Sequence, residues 1–295
     1  MTSPVAGILH IDKPAGPTSH DVVNAVRRLS GIRRVGHTGT LDPLATGLLT
    51  LCLGQATRLV EYLVGLDKVY LATIRLGQET NTYDVEGHVT SEKQVRVTQE
   101  KLNNALEQFR GHITQMPPMF SAVKVAGQPL YRRARQGVEI ERPTRQVTVY
   151  DLEQLSWNSP VLKLQICCSS GTYIRSIAHD LGQVLGCGAH LASLRRTVIG
   201  KIPVEEATPL DHLQPDNWLQ HLRPLDSAVT HLPLVELPAE DARKIVHGQR
   251  VPTREVNTPA DESPVRAYDQ DGHFIGILII DQGHWQPRKI LYQPD

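Results

Sequence analysis

Aromatic residues are scarce in this 295-residue chain, at 5%, so each Tyr or Trp in a suggestive place counts as a candidate stacking surface. Cysteine is scarcer still. Cys52, Cys167, Cys168 and Cys187 contain no C-x-x-C pair, which argues against a disulfide scaffold or a thiolate metal site and predicts buried free thiols in a reducing compartment. No apolar stretch approaches the roughly 20 residues of a membrane-spanning helix, and residues 1–7 do not form a basic segment followed by an apolar one. We therefore expect no membrane partner, no signal peptide and a cytoplasmic location. The phosphate-cradling G-x-x-x-x-G-K-[ST], the zinc motif H-E-x-x-H and the nucleophile elbow G-x-S-x-G are missing, leaving phosphoryl transfer, zinc proteolysis and common serine hydrolysis without support. Thirteen histidines are scattered, with only His10 and His20 or His231 and His247 as candidate pairs, and no metal site is expected. Net charge is also missing, because 31 Lys plus Arg balance 31 Asp plus Glu. That balance is an average over two unlike parts. Residues 1–203 hold 23 basic and 16 acidic side chains and residues 204–295 hold 8 and 15, so the first part is suited to a polyanion and the second is not.

What is present is an ordinary globular composition, 40% hydrophobic and 21% charged, at a length that suits one large domain with a small appendage. Gly7 to Ile11 reads as a strand, and Thr18 or Ser19 caps a helix over His20 to Leu29 in which Val22, Val23, Val26 and Leu29 recur at helical spacing. Residues 47 to 53 are strand-like, Ala56 to Leu63 helical, and Lys68 to Leu76 alternates with Tyr70, Ala72, Ile74 and Leu76 on one face. A helix is predicted over Thr98 to Arg110, strands over Gln146 to Leu155 and Val161 to Cys168, a helix over Tyr173 to Leu185 and a strand within 191–204. A hairpin, Val265 to Tyr268 and Phe274 to Ile280 around Asp271-Gly272, follows a composition shift near residues 225–235. The fold class expected is α+β: a mixed or antiparallel sheet flanked by helices over 1–230, with an insertion at about 98–145, and a small β-rich unit over 231–295.

The densest stretch for chemistry is Arg33-Arg-Val-Gly-His-Thr-Gly-Thr-Leu-Asp-Pro-Leu-Ala-Thr-Gly-Leu-Leu49. Pro43 fixes its own φ and biases Asp42 toward an extended backbone, so the carboxylate is offered from a stiff loop. An Asx-type turn accounts for the same residues. Gly36-His-Thr-Gly39 also fits the G-x-x-G loop of a KH-type RNA-binding module, although such a loop wants a helix on each side.

Five segments in order carry a more specific likeness: Gly7-Ile-Leu-His-Ile-Asp-Lys-Pro-Ala-Gly-Pro-Thr-Ser19, Gly36-His-Thr-Gly-Thr-Leu-Asp-Pro-Leu-Ala-Thr-Gly47, Lys68-Val-Tyr-Leu-Ala-Thr-Ile-Arg-Leu-Gly77, Pro117-Pro-Met-Phe-Ser-Ala-Val-Lys124 and Gly171-Thr-Tyr-Ile-Arg-Ser-Ile-Ala-His-Asp-Leu-Gly182. Together they resemble the tRNA pseudouridine synthase B (TruB) family over most of residues 7–200. The resemblance implies a pseudouridine-synthase catalytic domain with a PUA-like C-terminal domain. It implies an isomerase that flips the uridine at T-loop position 55 of tRNA out of its stack and rejoins the base through carbon, with no cofactor and no metal. By the same likeness Asp42 is the nucleophile, Arg175 its cationic partner, and Tyr70 the residue that stacks on the uracil and helps remove the C5 proton. His37 fills the space the base leaves, Tyr173 and Leu194 line the uracil pocket, and Lys13 of Lys13-Pro14 supports the loop and reaches toward substrate. Arg33, Arg34, Arg132, Arg133 and Arg135 are candidates for the RNA backbone. The expected partner is the tRNA T stem-loop, bound by a monomer. A non-catalytic RNA-binding or tRNA-folding module, and a synthase acting on another RNA, are the alternatives.

Overall fold

The computed structural model describes residues 5–120, 124–125, 128–129, 142–253 and 262–292. In chain order the first half holds β1 (Gly7–Lys13), α1 (Ser19–Ser30), β2 (Val35–His37), β3 (Thr46–Leu53), α2 (Val60–Val64), β4 (Lys68–Leu76), β5 (Gln78–Thr80), β6 (Val89–Glu92), α3 (Gln99–Glu107) and β7 (Gly111–Gln115). The short pair β8 (Lys124–Val125) and β9 (Gln128–Pro129) comes next, followed by β10 (Arg145–Asn158), β11 (Val161–Cys168), α4 (Ile174–Leu185), β12 (Ala189–Ile199), β13 (Ile202–Pro203) and β14 (Thr208–Pro209). The C-terminal portion holds β15 (Leu234–Glu236), α5 (Ala239–Val246), β16 (Val251–Pro252), β17 (Val265–Tyr268), β18 (Phe274–Asp281) and β19 (His284–Ile290).

A ten-stranded mixed sheet runs β14-β1-β3-β12-β4-β11-β10-β7, with β2 beside β3 and β13 beside β12. Its middle is set by β4, whose alternation buries Tyr70, Ala72, Ile74 and Leu76 while Arg75 faces solvent. Each buried Leu or Ile of that face contributes about 1.5–3 kcal/mol. α1, α3 and α4 close the same core through Val22, Val26, Leu102, Leu106, Ile177 and Leu181. Thr18 caps α1, accepting from the Asp21 N–H at 3.1 Å while the Asp21 carboxylate accepts from the Thr18 N–H at 2.9 Å. Ser19 is thereby left for a different task at the functional loop.

One element differs from expectation. Residues 54–59 form a 3-10 turn before the brief α2, because Ala56 and Leu59, three apart, bury equally well that way and the Thr57 hydroxyl binds the Gly54 carbonyl at 2.8 Å. The strand expected within 191–204 is present as β12, which turns into β13 at Gly200, whose φ is +59°. The KH reading is overturned, since Gly36 and His37 lie in β2, paired with Cys52 and Leu51 of β3.

The second sheet, β15-β17-β18-β19-β16, has its own core of Val235, Ile245, Ala267, Leu278 and Trp285. Its other face is not independent: Ile277 and Leu291 pack with Ile8, Cys52, Leu59 and Val229. Arg58 also donates to the Ile290 carbonyl at 2.6 Å.

β3 and β12 pair in parallel only at Thr46 and Gly47 against Arg195 and Arg196. A Cβ on Gly47 would lie 2.2 Å from the Arg196 carbonyl oxygen, and φ there is +99°. Gly47→Ala should therefore lower stability by about 2–4 kcal/mol in chemical denaturation. A wild-type midpoint would mean the two strands can part freely, against the close pairing described here.

Candidate active site

The loop between β2 and β3 that carries Asp42 is held from three sides. Lys13, fully buried at the end of β1, donates to the carbonyls of Pro14, Pro43 and Ala45 at 2.8, 3.2 and 2.7 Å. Ser19 receives the Leu41 N–H at 2.7 Å and donates to the Leu41 carbonyl at 2.9 Å. Arg196, 1% exposed, donates to Gly39 and Leu48 carbonyls at 3.0 and 2.7 Å. Burial of two cations is tolerated because carbonyl oxygens take up their donors. Burial pushes the Lys13 ammonium down to about 8, with Asp42 and Glu86 pulling it back up. Lys13 thus sits beneath the loop. Its placement fits the support role and not the expected reach toward substrate, because its side chain has no exposed surface. Lys13→Met should cost about 1–3 kcal/mol by leaving loop carbonyls unpaired, while equilibrium RNA affinity stays at the wild-type value. A large loss of affinity with unchanged stability would return Lys13 to the substrate face.

Arg175, in the first turn of α4 and 4% exposed, is the centre of the constellation. Its Nε lies 3.0 Å from Asp42 Oδ2 and its Nη1 3.0 Å from Asp84 Oδ2. The Nε–H does not point along the line to Asp42, so that contact is an ion pair without an aligned hydrogen bond. Nη1 and Nη2 also donate to the Thr82 and Phe120 carbonyls at 3.3 and 2.9 Å. Asp84 Oδ1 accepts from the Thr82 hydroxyl at 2.6 Å and the Glu86 N–H at 3.1 Å. One guanidinium therefore serves two carboxylates. A third of the Asp42 side chain is open to solvent. Burial of the carboxylate nonetheless raises its pKa; Arg175 opposes this, Asp84 adds to it and Lys13 opposes it more weakly. Arg175 acts in the expected direction, but burial prevails. The acid limb of a kcat/KM–pH profile should accordingly lie above the ordinary value of 3.8, and a limb at or below it would contradict this arrangement.

Tyr70 and Ala72 on β4 pair with Arg196 and Leu194 on β12, placing all four side chains on one face of the sheet. Burial raises the Tyr70 pKa, with Arg196 beside it pulling the other way. A phenol held neutral suits stacking on a base, and as a proton acceptor it depends on Arg196. Leu194 is 8% exposed. His37, half-buried on β2, has a buried Nδ1 with no partner among the described residues, and burial lowers its pKa. Tyr173 is clamped through its backbone by Gln115, which accepts its N–H at 2.7 Å and donates to its carbonyl at 2.9 Å. The Arg145 guanidinium lies 5.4 Å from the centre of the Tyr173 ring. Arg33 and Arg34 are exposed between α1 and β2. Arg132, Arg133 and Arg135 lie outside the described residues. Among the described residues one trio could hold a metal, Asp269, Asp271 and His273 in the β17–β18 turn, and the turn itself already uses Asp269 to accept two backbone N–H groups.

Sequence reasoning missed Asp84, Arg196 and Arg145. The available signal for Asp84 was the polar run Asn81-Thr-Tyr-Asp-Val-Glu-Gly87, with two carboxylates in a turn between strands.

Residues 27–174 match the TruB family pseudouridylate synthase N-terminal domain, 175–230 the tRNA pseudouridylate synthase B C-terminal domain, and 233–291 the pseudouridine synthase II TruB C-terminal domain. The chain belongs to the TruB family. It is 45% identical to the tRNA pseudouridine synthase B of Ralstonia nicotianae over 98% of this chain and 95% of that one. With the tRNA pseudouridine synthase B of Pseudomonas aeruginosa it shares 44% identity over 97% and 96%, and with that of Haemophilus influenzae 44% over 98% and 94%. The TruB fold extends to a Cbf5-Nop10-Gar1 complex, with a TM-score of 0.73 at 26% identity, covering 96% of this chain and 84% of that one. An H/ACA RNP bound to a substrate RNA containing 2′-deoxyuridine gives 0.75 at 24%, covering 97% and 85%, a likeness of fold.

Proposed function

We propose that the chain is a tRNA pseudouridine synthase, an isomerase that converts the T-loop uridine at position 55 to pseudouridine. The observation that carries this reading is a loop-held Asp42 with the Arg175 Nε at 3.0 Å, beside Tyr70, in a TruB-family chain. The reaction breaks the C1′–N1 bond, turns the base and forms C1′–C5. The C5 proton leaves and N1 gains one, so no oxidant, reductant or group donor enters. Attack on the uracil ring and attack on the ribose anomeric carbon place the same demand on Asp42: ionised and held near the base–sugar junction. Arg175 supports the ionised form and orients it. Tyr70 stacks on the extruded uracil, Leu194 and Tyr173 enclose it, and His37 takes the vacated space in the RNA, offsetting an unstacking cost of about a few kcal/mol.

The catalytic unit spans 1–230 and 231–295 forms the PUA-like unit; α3 and β7 of the expected 98–145 insertion belong to the main core and sheet, so the RNA backbone is met by the remainder, 116–145, with the exposed Arg33 and Arg34. Among the described residues no helix is long and apolar enough to cross a membrane. We read the chain as a cytoplasmic monomer whose partner is the tRNA T stem-loop. A T stem-loop RNA carrying tritium at uracil C5 tests the function. The expected result is release of one tritium per RNA with the modified nucleotide mapped to the T-loop uridine at position 55. Tight binding without release would leave a non-catalytic module, and release mapped elsewhere would assign another RNA site.

A further inference from the structure

Tyr83 sits in an unusual conformation directly beside the catalytic constellation. Its φ is +67°, a left-handed backbone that costs a bulky aromatic residue about 1–3 kcal/mol. Something must hold it there. Its N–H donates to Thr80 and its carbonyl accepts from Leu191 at 3.2 and 2.9 Å, and the Val85 N–H returns to Leu191 at 2.9 Å. Those bonds fix the backbone of the turn to β12 and leave the side chain to choose its own contact. The Tyr83 ring lies on the ring of His179, with centroids 3.8 Å apart and planes 13° from parallel.

His179 follows Arg175 by four residues on α4, which puts both on one helix face, one turn apart. The two residues that flank Tyr83 are the ones that touch Arg175: Thr82 through its carbonyl at 3.3 Å and Asp84 through its carboxylate at 3.0 Å. The stack therefore anchors the middle of a three-residue grip whose two ends hold the guanidinium. The His179 ring is not held by hydrogen bonds at Nδ1, which is buried without a partner among the described residues. Burial lowers the His179 pKa, Asp180 and Glu79 pull it up and Arg142 pulls it down, so the neutral ring is the form that stacks.

We infer that Tyr83 and His179 are positioning residues, whose stacked rings pin the 82–86 turn so that Asp84 and Asp42 share Arg175 in one fixed geometry. The inference deepens the synthase reading and rests on it for its kinetic consequence. Loss of either ring frees the turn, Arg175 loses its fixed carboxylate, and Asp42 loses its fixed cation. Misplacement on the scale of 1 Å at such a site costs about tenfold to a hundredfold in turnover.

The test uses the full chain in five forms: wild type, Tyr83→Ala, Tyr83→Gly, Tyr83→Phe and His179→Ala, each checked by thermal melting. Tyr83→Ala and His179→Ala are expected to lower kcat about tenfold to a hundredfold with KM for the RNA unchanged. Tyr83→Phe keeps the ring and should keep wild-type kcat. Tyr83→Gly relieves the strained φ but lacks the ring, so it should behave like Tyr83→Ala; wild-type kcat in Tyr83→Gly or Tyr83→Ala overturns the inference. A second readout is independent of turnover. In protein labelled with 13C at Asp carboxyls, the Asp42 midpoint should move in Tyr83→Ala, because its placement against both Arg175 and Asp84 changes, and Tyr83→Ala should add no further shift once Asp84→Asn is present. Additive shifts would show that the stack does not act through Asp84. A wild type that releases no tritium defeats the synthase reading, whereas the carboxyl titration still decides whether the stack positions Asp84.

Discussion

Asp42→Asn is expected to cut tritium release by at least about four orders of magnitude, to leave binding of the T stem-loop intact, and to raise the melting temperature at neutral pH. The first effect follows from removing the attacking oxygen. The third follows from the sign of the pKa shift. Folding raises the Asp42 pKa above 3.8, so the proton binds more tightly in the folded chain than in the unfolded one. An acid shifted in that direction favours the fold below its unfolded value, and that contribution disappears as pH rises through the folded value. At neutral pH the ionised carboxylate is a partly buried charge competing with Asp84 for one guanidinium. Asn removes the competitor and leaves the Arg175–Asp84 pair whole. Melting curves of the two proteins should separate at neutral pH and converge below 3.8. Turnover within tenfold of wild type would remove Asp42 as nucleophile, and a lower melting temperature at neutral pH would reverse the electrostatic reading.

The residues legible in the sequence were those whose neighbours in the chain advertise them. Asp42 stands between Leu41 and Pro43 in a stretch rich in glycine, whereas strand alternation and helical spacing placed only the elements that carry Tyr70 and Arg175, and the roles of those two came from the family likeness. Asp84 and Arg196 gave no such sign. Asp84 reaches Arg175 across 91 positions, and Arg196 reaches the Leu48 carbonyl across 148. An arginine on a strand reads as solvent-facing until the parallel contact of β3 with β12 buries it against the loop carbonyls. The same limit applies to secondary structure. β2 is three residues long, and β7 (Gly111-His-Ile-Thr-Gln115) has a single large apolar residue. β19 has Trp285 and Ile290 as its large apolar residues and Pro287 between them. Each is a strand because a longer neighbour supplies the ladder, which is tertiary context overriding a weak local pattern.

Arg175→Gln is the substitution expected to damage the protein most broadly. It leaves the Asp42 and Asp84 carboxylates facing each other without the cation that both contact, and frees the Thr82 and Phe120 carbonyls from their donor. Breaking a buried pair by removing one partner costs about 3–5 kcal/mol, because an uncompensated charge remains. The deficit depends on ionised carboxylates, so it should be largest at neutral pH and shrink as acid protonates them. Turnover should fall by about three orders of magnitude, the rate equivalent of about 4 kcal/mol, since the nucleophile loses its orienting partner while RNA contacts elsewhere persist. Arg175→Gln/Asp84→Asn separates the two losses. Removing the second carboxylate relieves the repulsion and should recover most of the stability in denaturant titrations, yet kcat should stay at the Arg175→Gln level because Asp42 still has no guanidinium. Recovery of both quantities would mean that Arg175 serves only to neutralise Asp84. A stability deficit that did not diminish toward acid pH would mean that packing around the guanidinium, and not its charge, holds this corner of the fold.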